Sequence, residues 1–405
     1  MNFQDQPPLI AIACGGTGGH LFPGLAVAEV LRQWDCAIAL LVSKKEVDQE
    51  AIKFAADMRV VTLPAVGLQN WRWAAFVRGC WHSYRLCRRA FLDLRPRAVL
   101  AMGGFTSAPP VLAGKSHRAA TFLHESNSIP GRANRWLSPW VDEVFISFPT
   151  AARRLYNQCI RSVGTPVRPA FKPVDPVPCR IALGLAPEKP VLLVMGGSQG
   201  ASGINRLMEG AIAQLGQTAP ELQFLHLTGP DDCEKVRSSY ASHGRRAVVR
   251  PFLSEMELAL GAATVVVNRA GASSLAEVAA MRVPCILIPF PYATDNHQLF
   301  NARAAAESGA ARLLEQFKTT PALLAETIQS LLYDLAAQAR MRAALERWHF
   351  PKAAEEIAGH ICARLGLPRP ESSPAPEDAP AMPAVLKGKW AGGQVRFTPA
   401  TLETA

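Results

Sequence analysis

No apolar run in this 405-residue chain approaches the ~18 residues needed to cross a bilayer as a helix, which excludes a helical membrane span. Basic residues are missing from Met1 to Pro8, and the apolar stretch Leu9–Cys14 behind them is too short for a signal-peptide core. No two cysteines form a C-x-x-C pair. The nine (14, 36, 80, 87, 159, 179, 233, 285 and 362) are odd in number and scattered. That usage argues against disulfide and zinc frameworks and predicts reduced core thiols in a cytoplasmic protein. The P-loop pattern G-x-x-x-x-G-K-[ST] is absent, which disfavours ATP hydrolysis. D-x-D is absent too, so a carboxylate pair chelating Mg²⁺ on a nucleotide-sugar diphosphate is not indicated. No metal site and no cofactor is expected.

What is present describes a globular protein: 49% hydrophobic and 19% charged residues exclude a mainly disordered chain. Lys and Arg number 43 against 33 Asp and Glu, a balance that favours anionic partners. Short apolar runs alternate with amphipathic stretches. Predicted strands are Leu9–Cys14, Ala37–Val42, Val60–Leu63, Ala98–Met102, Ala120–His124 and Glu143–Ser147, then Val191–Met195, Gln223–Leu227, Val248–Pro251, Thr264–Val267 and Cys285–Pro289. Near-continuous apolar strands separated by helices predict an α/β chain with two parallel sheets covered on both faces. Prolines from Gly164 to Pro176 mark the boundary. The expected domains are 1–166, 167–365 (its final helix packing back on the first domain) and a disordered tail, 366–405. Six of the sixteen residues from Pro368 to Pro383 are proline.

Gly15-Gly16-Thr17-Gly18-Gly19-His20 follows the first strand and precedes a helical pattern from about Phe22. Consecutive glycines let backbone N–H groups approach an anion or sugar, and a helix N-terminus adds positive partial charge. His20 sits where a parallel sheet's carboxyl edge forms a ligand crevice, so it is the candidate general base; a histidine there can also simply cap the helix. A dinucleotide oxidoreductase would want a carboxylate at the end of the second strand, and Ser43-Lys44-Lys45 stands there instead.

The plan repeats at Gly196-Gly197-Ser198-Gln199-Gly200-Ala201 after Val191–Met195, where a diphosphate could rest on Ser198, Gln199 and the backbone around Gly200. Further on, Glu277 lies in an otherwise apolar helix start after Asn268–Ser274. Its carboxylate could accept from two ribose hydroxyls, although helix-terminus stabilisation is the simpler reading of it alone. Tyr292 to Gln298 form a dense polar cluster at a strand's carboxyl end.

Between Trp71 and Arg97 seven arginines face one acid, Asp93. As a helix, Trp73, Phe76, Val77, Cys80, Tyr84, Cys87 and Phe91 share a core-facing stripe. Trp81 and Leu92 fall instead among Arg78, Arg85 and Arg88, the pattern of an interfacial patch on anionic lipid. No recognition motif or interleaved aromatics support nucleic-acid binding.

Together these motifs resemble the MurG family, the membrane-associated N-acetylglucosaminyltransferases of bacterial peptidoglycan synthesis. The resemblance runs from about Leu9 to Leu365. It rests on Gly15–His20 with Leu21-Phe22-Pro23-Gly24, Gly103-Gly104-Phe105, His124-Glu125-Ser126-Asn127, Gly164–Arg168, Gly196–Gly200, Gly271-Ala272 with Glu277, and Asp295–Asn301. It implies two Rossmann-like domains facing each other across a cleft, the GT-B arrangement. It further implies transfer of N-acetylglucosamine, with inversion, from UDP-N-acetylglucosamine to the C4 hydroxyl of MurNAc in lipid I, giving lipid II.

By the resemblance His20 is the base. Thr17, Gly18, Gly19, Asn127, Arg168, Ser198, Gln199, Gly200, Glu277 and Gln298 hold the donor, several of them bordering the acceptor. Gly16, Phe105 and Glu125 shape the acceptor side. The implied location is peripheral, on the cytoplasmic face of the bacterial membrane, with an anionic lipid surface and cell-wall and division proteins as partners. Phe105 stands where Tyr is usual, Ser126 for Gln, Thr165 for Asn and His297 for Gln. The alternatives are another UDP-sugar transferase of the same fold acting on a glycolipid, and a catalytically silent scaffold.

Overall fold

The computed structural model describes residues 7–16, 18–44, 58–64, 73–197 and 200–368. The expectations for Thr17, Lys45, Arg72, Ser198, Gln199 and the tail from 369 onward fall on residues outside that set.

The first sheet and its helices run β1 (Leu9–Ala13), α1 (Gly18–Gln33), β2 (Ala37–Ser43), β3 (Arg59–Leu63), α2 (Trp73–Leu94), β4 (Ala98–Ala101), α3 (Ala108–Ser116), β5 (Ala120–Glu125), α4 (Arg132–Leu137), β6 (Glu143–Ile146) and β7 (Ile160–Ser162). The order is β3-β2-β1-β4-β5-β6-β7, every pair parallel. The second half adds α5 (Pro176–Ala182), β8 (Val191–Met195), α6 (Ser202–Thr218), β9 (Gln223–Leu227), α7 (Cys233–Ser242), β10 (Ala247–Arg250), α8 (Met256–Ala262) and β11 (Val265–Asn268). It continues through α9 (Ala272–Met281), β12 (Cys285–Leu287), α10 (His297–Glu307), β13 (Arg312–Leu313), α11 (Pro321–Tyr333), α12 (Leu335–Trp348) and α13 (Ala353–Leu365). Its sheet, also parallel throughout, has the order β10-β9-β8-β11-β12-β13.

Period-two alternation divides each central strand between two cores. Ile10 and Ile12 join one cluster with Leu21, Leu25 and Leu40. Ala11 and Ala13 face a second with Leu41, Phe91 and Val99. Each fully buried Leu or Ile contributes ~1.5–3 kcal/mol by removal from water, which is why both faces must be covered. The sheet order reverses between β1 and β4 and again between β8 and β11, so each half has a crevice outside its strands' carboxyl ends. Those crevices hold the two glycine turns.

Helix α13 follows the second sheet in sequence but packs on the first core through Ile357, Ala358, Ile361 and Cys362. Polar contacts accompany it. His360 Nδ1 lies 3.2 Å from Glu143 Oε1, and Arg97 donates to the Leu365 carbonyl at 2.7 Å. Burial raises the pKa of Glu143, but His360 and Arg161 outweigh it and hold the carboxyl below its ordinary range.

Three details differ from the sequence expectation. Strands β7 and β13, at the edges of the two sheets, were not anticipated: they are short and read Ile-Arg-Ser and Arg-Leu, too polar to stand out as apolar runs. Helix α1 begins at Gly18, inside the glycine turn, because its glycines and Pro23 mask a helical start. Val77, assigned to the core-facing stripe of α2, is 59% exposed. None of the nine cysteines is in a disulfide, and seven are buried.

Candidate active site

One cavity of 1590 Å³ opens between the two crevices. From the first half it is lined by Gly18, Gly19, His20, Phe22, Phe105, Glu125 and Asn127. From the second it takes Arg168, Gly196, Gly197, Arg269, Gly271 to Ser274, Glu277, His297 and Gln298. Gly16 and Gly200 are not on its wall. Gly16 backs the Phe105 ring. Gly200, with φ +73°, packs so tightly on the next strand end that a Cβ would stand 2.1 Å from the Thr228 carbonyl oxygen.

His20 is half-buried near the start of α1, in its first turn. Its ring lies against Gly103 and Gly104, and a Cβ at either would stand 3.1 Å from it. Both glycines have positive φ (108° and 79°), a backbone course that L side chains rarely follow. Thr106 Oγ1 donates to the Gly15 carbonyl at 2.6 Å and ties this loop to the glycine turn. The glycine backbone thus forms part of the imidazole's seat.

Glu125 and Asn127 both line the cavity and are also bonded to each other. Buried Glu125 accepts from Asn127 N (2.8 Å), Asn127 Nδ2 (3.1 Å), Gly131 N (2.9 Å) and Asn134 Nδ2 (2.8 Å). Burial raises its pKa against the pull of these four donors. Asn127 Oδ1 in turn accepts from Asn301 Nδ2 at 3.1 Å. Both side chains thus help shape the loop after β5, and both line the cavity beside it. His124 behind them donates from Nε2 to the Gly164 carbonyl (2.9 Å), and burial pulls its pKa down to about 4, keeping it neutral.

Two of the sequence departures are absorbed locally. Ser126 Oγ lies 3.3 Å from His124 Nδ1, and Thr165 Oγ1 pairs with Ser147 Oγ at 2.6 Å. His297 Nδ1–H donates to the Thr294 carbonyl at 2.8 Å.

On the second half, Glu277 stands in the second turn of α9, half-buried on the cavity wall. Burial pushes its pKa up to about 7; nearby Arg168 opposes the shift and Glu257 adds to it. Arg168 bridges Glu257 (3.3 Å) and packs on the rings of Phe22 and Phe171, 5.4 and 5.1 Å from their centroids. Gln298 Oε1 accepts from Phe290 N at 2.9 Å, which leaves its NH₂ as the group presented to the cavity.

Arg269 was missed by the sequence reading. It is buried, donates to the Ile288 and Pro289 carbonyls and to Gln316 Oε1, and stacks under Phe290. Burial lowers its pKa to about 10, so it stays charged at neutral pH. Among the described residues no carboxylate pairs with it, and that uncompensated charge stands on the cavity wall. No sequence pattern marks it, because its partners are backbone carbonyls from another strand.

Of the α2 patch, Trp81 lines the cavity mouth, with Val77 and Trp136. Trp81 and Leu92 are 60% and 62% exposed, and Arg78, Arg85 and Arg88 are exposed beside them. Among the described residues no helix is long and apolar enough to cross a membrane, and no three His, Cys, Asp or Glu side chains gather into a metal-holding group.

The chain matches the glycosyltransferase family 28 N-terminal domain over residues 10–146 and the family 28 C-terminal domain over 191–357. A UDP-N-acetylglucosamine–N-acetylmuramyl-(pentapeptide) pyrophosphoryl-undecaprenol N-acetylglucosamine transferase of Anaeromyxobacter sp. (strain Fw109-5) is 35% identical over 382 residues, 91% of this chain and 96% of that protein. Its counterpart in Gloeobacter violaceus is 33% identical, covering 87% of this chain and 97% of the relative. Among solved structures, MurG of Acinetobacter baumannii superposes with a TM-score of 0.69 at 25% identity, covering 88% of this chain and 99% of that one. With both family domains matched in order and the relatives covered nearly end to end, the chain belongs to glycosyltransferase family 28, among its MurG-type N-acetylglucosamine transferases.

Proposed function

We propose that this chain transfers N-acetylglucosamine from UDP-N-acetylglucosamine to the C4 hydroxyl of MurNAc in undecaprenyl-diphospho-MurNAc-pentapeptide, with inversion. The observation that carries the reading is that His20 from one crevice and Glu277, Gln298 and Arg269 from the other open onto a single cavity. His20 takes the proton as the acceptor oxygen attacks the anomeric carbon, and the carbon–oxygen bond to UDP breaks on the opposite face. Charge developing on the departing diphosphate meets the N–H groups at the start of α9 and the Arg269 guanidinium. Glu277 holds the ribose and the Gln298 amide donates to sugar hydroxyls.

The test is transfer of labelled N-acetylglucosamine from its UDP donor to a lipid I analogue in the presence of EDTA. Product establishes donor, acceptor and independence from added metal together. Donor binding without transfer would move the assignment to another acceptor or to a silent scaffold.

On this reading the acceptor's polyprenyl anchor draws the enzyme to a membrane surface, taken as the cytoplasmic face, and α2 is the surface suited to it. Arg78, Arg85 and Arg88 form no ion pair among the described residues, so their charge is available to anionic lipid. Removing two of them in an Arg85→Ala, Arg88→Ala variant is expected to lower partition onto phosphatidylglycerol vesicles about 30-fold, at ~1 kcal/mol per arginine. Turnover of a short-chain soluble acceptor should be unaffected. Equal sedimentation of variant and wild type with the vesicles would remove α2 as the docking face.

A further inference from the structure

Pro23 lies inside α1, where it supplies no N–H. The helical donor that would bond the carbonyl four residues back, that of Gly19, is therefore missing. The Gly19 carbonyl accepts instead from Ser273 Oγ, at 2.7 Å. Ser273 belongs to the first turn of α9 in the other half of the molecule, and both residues line the cavity. Gly19 immediately precedes His20. One side-chain hydrogen bond thus ties the segment that carries the candidate base to the helix end that faces the donor.

Other polar bonds cross between the halves, but they grip different parts of the first domain. Asn301 Oδ1 accepts from Ser128 N and Oγ, each at 2.9 Å, and Arg135 pairs with Asp295. These hold the loop after β5 and helix α4. Ser273 reaches α1 itself, at a carbonyl that the helix leaves available.

We propose that Ser273 is a positioning residue, which sets the separation between His20 and the sugar by holding the Gly19 carbonyl across the cavity. The chemistry it serves rests on the transferase reading above, whereas the closure it enforces does not. The bond also gives Pro23 a function: an N–H at that position would compete for the same carbonyl.

Ser273→Ala is expected to lower kcat about 5- to 10-fold at saturating donor and acceptor, the effect of one lost neutral hydrogen bond. Its affinity for UDP-N-acetylglucosamine, read by calorimetry, should change less than twofold. Ser273→Thr keeps a hydroxyl and should retain at least half the activity, a rescue that mere packing of the site would not give. Pro23→Ala should be non-additive with Ser273→Ala, since both act on one carbonyl. Small-angle X-ray scattering of the unliganded full chain should show a more open molecule for Ser273→Ala than for wild type.

Wild-type kcat in Ser273→Ala overturns the proposal, as does equal impairment of the Ala and Thr variants. Should wild type transfer nothing to the lipid I analogue, the transferase reading fails first. The scattering comparison then decides the closure alone, with identical curves overturning it.

Discussion

Replacing His20 with alanine is expected to lower kcat by ~10²–10⁴-fold while leaving donor affinity nearly unchanged. The size follows from what the imidazole does: without it the C4 hydroxyl must attack while still protonated, or pass its proton to water. The selectivity follows from where it sits. His20 belongs to α1 and rests on Gly103 and Gly104, on the wall opposite Glu277, so its removal takes nothing from the nucleotide. Gel filtration and thermal unfolding should show a folded protein, because the ring is half-buried and outside the main cores. An unchanged kcat in purified His20→Ala would take the residue out of the base's role. Gly104→Ala offers a companion check, because a Cβ there meets the imidazole at 3.1 Å and, with the residue's positive φ, must shift the ring or the loop slightly.

The second large effect is expected at Glu277. An ionised carboxylate accepting from two ribose hydroxyls forms charge-assisted hydrogen bonds worth ~1.5–3 kcal/mol each, so Glu277→Ala should weaken UDP-N-acetylglucosamine binding by about 150-fold or more. The elevated pKa adds a pH signature. With the carboxyl titrating at about 7, donor affinity should climb as pH rises from 6 to 7.5 and level off above, by at most about tenfold per unit.

In the free protein the sign is the reverse. A carboxyl whose folded pKa is raised from 4.5 to about 7 favours folding fully below 4.5, and that contribution is lost as pH rises through 7. The donor's hydroxyls then compensate a charge that, among the described residues, Arg168 alone opposes. Calorimetry at several pH values on wild type and Glu277→Gln tests both halves. Equal affinities, or the same pH dependence in the variant, would reject the ribose contact.

The central strands were legible because each is an apolar run buried on both faces. Val191–Met195 and Gln223–Leu227 matched the sequence expectation to the residue. The edge strands β7 and β13 escaped because they are only three and two residues long and each carries an arginine, so neither forms an apolar run. Within the cavity, His20, Glu277 and Gln298 were legible because glycine turns and strand ends mark where a parallel sheet opens. Asn127 and Glu125 lay in an equally conspicuous motif, and the structure adds what the motif could not show, their bonds to Gly131, Asn134 and Asn301. Local sequence cannot show which polar groups a fold will use for itself.

Taken alone, the sequence determined the fold class, the two glycine turns and the identity of the polar residues beside them, since hydrophobic periodicity and glycine tolerance are local properties of the chain. The tertiary structure decided which of those residues share one cavity, that Arg269 stands there as a buried charge with no carboxylate partner among the described residues, and that Ser273 meets a carbonyl 254 positions away. These depend on how two sheets and a returning helix α13 are brought together. Burial and long-range pairing then set the charge state and the availability of each side chain, and neither quantity exists until the chain has folded.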